Sequence, residues 1–210
     1  MAYFPMFVNI EEQNCLLIGG GRVALRKLEY LQDFRARVTL VAEEILPEIK
    51  EKEGIFLIEK NYEKSGIDLE DYMLVILATN DKAFNHKISQ ECKKLRIPVN
   101  AVDDREACSF ILPAYLKEEN LVAAFSSGGD APVAVQYLKE KNRKIITTNL
   151  GKVVSYLGSL RPRVKAEYKS MKERKAIYQE ILQTGVREKR LMPLEEAAEA
   201  IMREKGRSEA

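Results

Sequence analysis

The sequence predicts a doubly wound parallel α/β sheet over residues 1–113, and three observations predict it. Short apolar runs alternate with segments whose apolar residues recur at helical spacing. The run at 73–78 carries no charge, as a strand covered on both faces requires. The first run ends at three consecutive glycines, Gly19, Gly20 and Gly21, where a strand must turn sharply into a helix. A small β/α segment over 114–148 and a helical subdomain over 149–210 are expected to follow.

The elements fall in order. Residues 14–18 read as a buried strand, and Val23, Ala24, Lys27, Leu28 and Leu31 form a helical stripe reaching about Phe34. Residues 38–41 supply the next strand, closing one βαβ unit. Strands at 55–58, 73–78 and 97–102 continue the alternation, with a helix over 82–95 and a polar surface loop over 61–71. Beyond Asp103 the rhythm changes. Residues 109–112 and 121–125 read as two strands joined by a polar turn, and a helix starts near Pro132. From Asn149 onward the pattern is helical, marked by Val153, Tyr156, Leu157, Leu160, Val164, Ile177, Ile181, Leu182 and then residues 194–202.

Composition narrows the function classes. With 210 residues and 46% hydrophobic content the chain can bury a real core, while 34 basic against 32 acidic residues leave no strong positive field for nucleic acid. Cys15, Cys92 and Cys108 form no C-x-x-C pair and His86 is the single histidine, so no metal-ligand cluster is expected. No apolar run approaches the roughly 20 residues of a membrane span, and residues 1–7 lack a basic leader and are broken by Pro5. A reduced, cytoplasmic protein is expected.

Gly19, Gly21 and Ala24 satisfy G-x-G-x-x-A between a strand and a helix, the setting in which that pattern binds a dinucleotide and the sheet is of Rossmann type. Gly19 permits the turn, Gly21 lets a pyrophosphate approach the backbone, Ala24 lets helix pack on strand, and the helix N-terminus offers N–H groups to anionic oxygens. Glu43 or Glu44 stands at about the 20-residue distance at which a carboxylate meets the ribose hydroxyls, which favours NAD over NADP. Arg22, able to hold a 2′-phosphate, argues the other way. Thr79, at the carboxyl end of the uncharged strand, lies where cofactors pass, while Asn80 or Asp81 there also serves as a helix N-cap.

Asn100 to Asp104 end a further strand expected on the same rim, so a carboxylate at Asp103 can face the nicotinamide and act as a base. Asp103 and Asp104 equally suit a turn or N-cap. Ser126, Ser127, Gly128 and Gly129 between a strand and a helix form a second anion-friendly loop, part of which Asp130 as N-cap and Pro132 in the first helical turn explain. The sharper reading is a site for substrate carboxylates, with Arg105, Lys117 and Lys139 adding charge. Tyr137 with Lys141 and Tyr168 with Lys172 share the spacing of short-chain dehydrogenases but read as ordinary helical neighbours. Cys15 reads as core, and His86 as a structural residue away from the rim.

Laid out in order, Pro5 to Val8, Leu17 to Lys27, Ala78 to Asn80, Asn100 to Asp103, Ser109 to Pro113 and Phe125 to Pro132 make the chain resemble the precorrin-2 dehydrogenase and sirohydrochlorin ferrochelatase family, which includes the N-terminal module of siroheme synthase. The resemblance implies NAD-dependent oxidation of precorrin-2 to sirohydrochlorin, with the family's essential aspartate at Asp103. It places the substrate-pocket serine at Ser127, with Ser126, Gly128 and Asn100 beside the substrate. It implies NAD contacts at Gly21, Arg22, Val23, Glu43, Glu44 and Thr79, alongside the turn glycine Gly19. It also implies a homodimer built through the segment after Pro113, and it leaves open insertion of Fe2+ or Co2+ into the product. The rival from another class is a non-catalytic NAD-sensing regulatory domain, which explains the glycine loop equally well. A dehydrogenase of another small acid is the third reading.

Overall fold

A computed structural model of the chain describes residues 3–208. The chain divides into two compact units, residues 1–112 and 113–210.

The first unit is built on a parallel five-stranded sheet. Its strands are β1 (Asn14–Ile18), β2 (Arg37–Ala42), β3 (Ile55–Glu59), β4 (Leu74–Leu77) and β5 (Val99–Ala101), in the order β3-β2-β1-β4-β5. Helix α1 (Arg22–Asp33) links β1 to β2, a single turn α2 (Pro47–Lys50) precedes β3, and α3 (Lys82–Lys94) links β4 to β5. The doubly wound expectation holds. Alternation along β1 shows why: Cys15 and Leu17 pack with Ala24, Leu28 and Leu31 of α1, whereas Leu16 and Ile18 pack with Ile88 and Cys92 of α3. The two helices therefore cover opposite faces, and a centre strand with both faces buried has to be apolar throughout. Each such leucine or isoleucine contributes about 2 kcal/mol of burial. Burial also pushes the Cys15 and Cys92 thiols up to about 11, which keeps them as core thiols.

The strand expected at 109–112 is not one. Ser109 is clipped to β5 by its own hydroxyl, which accepts from the Val99 N–H at 2.8 Å, and its N–H donates to the Val99 carbonyl at 2.8 Å. Asn100 holds the next residue, donating through Nδ2 to the Phe110 carbonyl at 2.9 Å. Side chains thus replace a strand ladder there. Pro113, with no N–H to give, follows directly.

The strand of the second unit is instead β6 (Ala114–Glu118), antiparallel to β7 (Leu121–Phe125). Most of the 113–120 stretch expected to be a polar turn is therefore strand, and the reversal is confined to Glu119, in the left-handed region at φ 52°, and Asn120. Helices α4 (Pro132–Arg143), α5 (Thr148–Glu167), α6 (Met171–Glu188) and α7 (Leu194–Ser208) complete it. Val164, Ile177, Ile181, Met192, Leu194 and Ala197 form the core of its helical end. Among the described residues, no helix is long and apolar enough to cross a membrane.

Candidate functional site

In a parallel sheet every strand ends on the same edge. That brings the residues after β2, β1, β4 and β5 together on one rim: Glu43 and Glu44, the glycine loop, Thr79 and Asp103. The three strand spacings between β2 and β5 span about 14 Å. The chain winds outward in opposite directions from the β1–β4 junction, the switch point at which open α/β sheets bind ligands.

The glycine loop is pinned from both sides. The Gly19 N–H donates to the Val41 carbonyl at 2.8 Å, the Ala78 N–H to the Ile18 carbonyl at 2.8 Å, and the Leu46 N–H to the Gly20 carbonyl at 2.9 Å. A Cβ on Gly19 would stand 2.3 Å from the Ala78 carbonyl oxygen, and one on Gly20 2.0 Å from that of Glu44. These two glycines are demanded by the protein itself. Gly21 is not: its backbone is extended at φ −90°, open to any residue, and beyond its two chain neighbours no atom lies within 4 Å of where its Cβ would be. The first helical hydrogen bond runs from Leu25 N–H to the Gly21 carbonyl at 3.0 Å, no side chain caps the helix, and its first turn holds no acid. The N–H groups of Arg22, Val23 and Ala24 precede that bond and point along the positive end of a helix of 12 residues. A cradle of donors, an open Gly21 and a neighbouring carboxylate fit a dinucleotide pyrophosphate and ribose.

Beyond the loop, Glu43 and Glu44 are exposed just past β2, and Glu43 Oε1 accepts from Asn61 Nδ2 at 2.8 Å. Thr79 is half-buried and clasped by Asn85, a buried residue that the sequence reading passed over. The Thr79 hydroxyl donates to Asn85 Oδ1 at 2.7 Å, and Asn85 Nδ2 donates back to the Thr79 carbonyl at 3.1 Å. A polar residue on the apolar face of α3 was the available signal. Asp81, not Asn80, caps α3, accepting from the Phe84 N–H at 3.0 Å.

Asp103 follows β5 in the left-handed region, φ 58°, with its side chain exposed. Asp104 next to it serves the fold. Its Oδ1 accepts from the N–H groups of Glu106 and Ala107 at 3.1 Å each, and its Oδ2 meets His86 Nε2 at 2.8 Å. The Ala107 N–H above all, with His86 adding to it, holds the Asp104 carboxyl below its ordinary value. His86 is thus not remote from the rim: α3 runs back along the loop after β5 and places the imidazole against it. Lys27, read only as part of a helical stripe, is half-buried and close enough to Asp103 and Cys108 for both to act on its amine. Burial, helped by Arg26, lowers its amine, and those two neighbours oppose the shift. Asn100 is buried and committed to the 108–110 segment rather than open to a ligand.

The second loop, in the other unit, closes on itself. Ser126 Oγ accepts from the Gly128 N–H at 3.0 Å and Ser127 Oγ from the Ala131 N–H at 2.9 Å, so the paired serines are loop-building groups. Gly128 and Gly129 take positive φ, 64° and 88°. The N-cap of α4 is Ala131, without a side-chain bond, rather than Asp130. Lys139 lies over the Tyr115 ring at 5.9 Å. Lys141 lies over Tyr137 at 5.5 Å, as helical neighbours do, whereas Tyr168 ends α5 and Lys172 starts α6, so that pair shares no helix.

Fold and rim together define a dinucleotide-binding α/β protein. Residues 6–114 match the family described as putative NAD(P)-binding, and residues 149–205 match the sirohaem synthase dimerisation region. The chain belongs to that NAD(P)-binding family, and the resemblance drawn from its sequence is borne out. Siroheme synthase of Nitrosospira multiformis is 35% identical over 206 residues, covering 95% of this chain and 43% of the relative. Siroheme synthase 3 of Aeromonas hydrophila is 39% identical over 183 residues, covering 87% and 39%. The chain spans about two fifths of the length of these curated relatives. The solved structure of SirC, precorrin-2 dehydrogenase, shares the fold with a TM-score of 0.68 over 96% of this chain and 98% of that one, at 21% identity.

Proposed function

We propose that the chain is an NAD-dependent dehydrogenase that oxidises precorrin-2 to sirohydrochlorin in siroheme biosynthesis. The observation that carries this reading is Gly21, a glycine that no protein neighbour and no backbone angle requires, at the open N-terminus of α1 and on the same rim as Asp103. The names of the relatives, siroheme synthase and precorrin-2 dehydrogenase, support the substrate.

Bound at this rim, NAD supplies a two-electron acceptor. The first-turn N–H groups of α1, with Gly19, Gly21, Arg22 and Val23, hold its pyrophosphate, and Glu43 and Glu44 take the ribose, favouring NAD over NADP. Thr79, kept in place by Asn85, borders the nicotinamide end. Asp103 accepts the proton that the macrocycle sheds as its two electrons leave, so that one proton and an electron pair with its hydrogen are removed together. The same carboxylate is assigned the pyrrole N–H protons in a further step, insertion of Fe2+ or Co2+ into the product. Ser126, Ser127 and Gly128 of the second unit are assigned to substrate carboxylates, and Asn100 to shaping the β5 end of the first unit's rim. The working form is a homodimer, supported by the match to a dimerisation region and by exposed Val133, Tyr137 and Leu138 on α4. A cytoplasmic setting is supported by three free cysteines.

Purified protein given precorrin-2 and NAD is expected to develop sirohydrochlorin absorbance. Gly21→Ala is expected to melt with the wild type, because a methyl group there meets nothing, yet to bind NAD at least about tenfold more weakly. An unchanged Kd for NAD by calorimetry would remove the cradle from the reading. NADP, titrated in parallel, is expected to bind more weakly than NAD.

A further inference from the structure

The turn that follows Asp103 is held from one face of α3. His86, Ser89 and Lys93 are spaced three and four residues apart, so all three side chains project from the same helical stripe. Each grips a different residue of the turn. His86 Nε2 meets Asp104 Oδ2 at 2.8 Å, Ser89 Oγ donates to the Ala107 carbonyl at 2.5 Å, and Lys93 Nζ donates to the Glu106 carbonyl at 2.6 Å. Asp104 carries the grip inward, since its other oxygen accepts from the Glu106 and Ala107 N–H groups. The Asp103 carboxylate takes no part in this clasp. Its backbone, though, lies in the left-handed region, φ 58°, directly before the residue that the clasp fixes on both carboxylate oxygens.

The geometry points to His86 as a positioning residue: acting through Asp104, it holds the backbone of Asp103 so that the Asp103 carboxylate stays on the rim. The inference rests on the reading of Asp103 as proton acceptor. Ser89 is buried and Lys93 grips a carbonyl, so neither orients the Asp104 carboxylate. Of the three side chains, His86 is the one that meets the Asp104 carboxylate, on the oxygen the Glu106 and Ala107 N–H groups leave open, and it does so from a side chain 45% exposed, which makes it replaceable without opening the core. A misplaced reacting group lowers turnover while leaving the cofactor cradle, on other strands, untouched.

The test uses the full chain with His86→Ala and His86→Gln; both residues favour helix, and the Gln amide keeps a donor for Asp104. In His86→Ala the amides of Glu106, Ala107 and Cys108 are expected to exchange with deuterium several-fold faster, kcat for precorrin-2 oxidation to fall about tenfold, and KM for NAD and precorrin-2 to stay put. His86→Gln is expected to recover both exchange protection and most of kcat. Unaltered exchange in His86→Ala, or faster exchange with wild-type kcat, overturns the inference. A wild-type chain that binds NAD but never oxidises precorrin-2 defeats the proposed function instead, and the exchange measurement still decides whether His86 holds the turn.

Discussion

Asp103→Asn is expected to cut precorrin-2 oxidation by about 100- to 10,000-fold, the range over which a positioned proton acceptor acts, while NAD binds as before. Asparagine is the informative substitution because Asp103 sits at φ 58°, a backbone region that Asn enters readily and Ala does not. Alanine would add backbone strain of roughly 1 kcal/mol to the loss of the carboxylate and blur the two effects. The amide keeps size and conformation and removes only the capacity to take a proton. Steady-state turnover with sirohydrochlorin absorbance as readout, beside calorimetric NAD titration, measures both halves. Turnover equal to wild type would take Asp103 out of the chemistry. A wild-type chain that binds NAD and turns over no precorrin-2 would instead favour the reading in which the chain only senses NAD.

Gly19→Ala is expected to damage the fold rather than the chemistry. The new methyl group would stand 2.3 Å from the carbonyl oxygen of Ala78, a residue at the neighbouring strand's exit whose N–H donates to the Ile18 carbonyl. The backbone angle, φ 124°, is one that alanine enters only under strain. Clash and strain together cost about 3 kcal/mol, equivalent to a fall in Tm of about 6–12 °C for a chain of this size. Thermal unfolding followed by circular dichroism reads it directly. A variant as stable as wild type would show that β1 and β4 separate at this point more easily than the packing implies. Set beside Gly21→Ala, the pair separates two reasons for a glycine two residues apart: one shaped by the protein, the other by what the protein holds.

Much of this architecture was legible because the core strands are short, apolar and bounded by turn residues. The β1 run with its glycine stop, the stripe of α1 and the uncharged β4 each carry a period that only one environment satisfies. The rim followed, since parallel strands deliver their exits to one edge. What stayed hidden was pairing decided by side chains. Residues 109–112 have the composition of a strand, and only the Ser109 and Asn100 hydrogen bonds to and from β5 show why they form no ladder. Residues 114–118 alternate Tyr115, Leu116, Lys117 and Glu118, a half-exposed strand whose charges read as turn. His86 and Asp104 are eighteen positions apart in the chain, so neither one's neighbours announce the other. The serines of the second loop illustrate the reverse: their hydroxyls looked spare, yet the backbone of the loop itself engages them.

The β6–β7 hairpin sets where the protein can be cut. A two-stranded ribbon is marginal by itself in water, and here α5 lies so close upon it that a Cβ on Gly151 would come within 2.6 Å of the Glu118 carbonyl oxygen. The region recognised for dimerisation begins at residue 149, part-way through the unit that starts at 113. A fragment begun at 149 would carry α5 without the surface it was shaped against, so dissection by truncation should start at 113, and anything shorter is expected to express as aggregate.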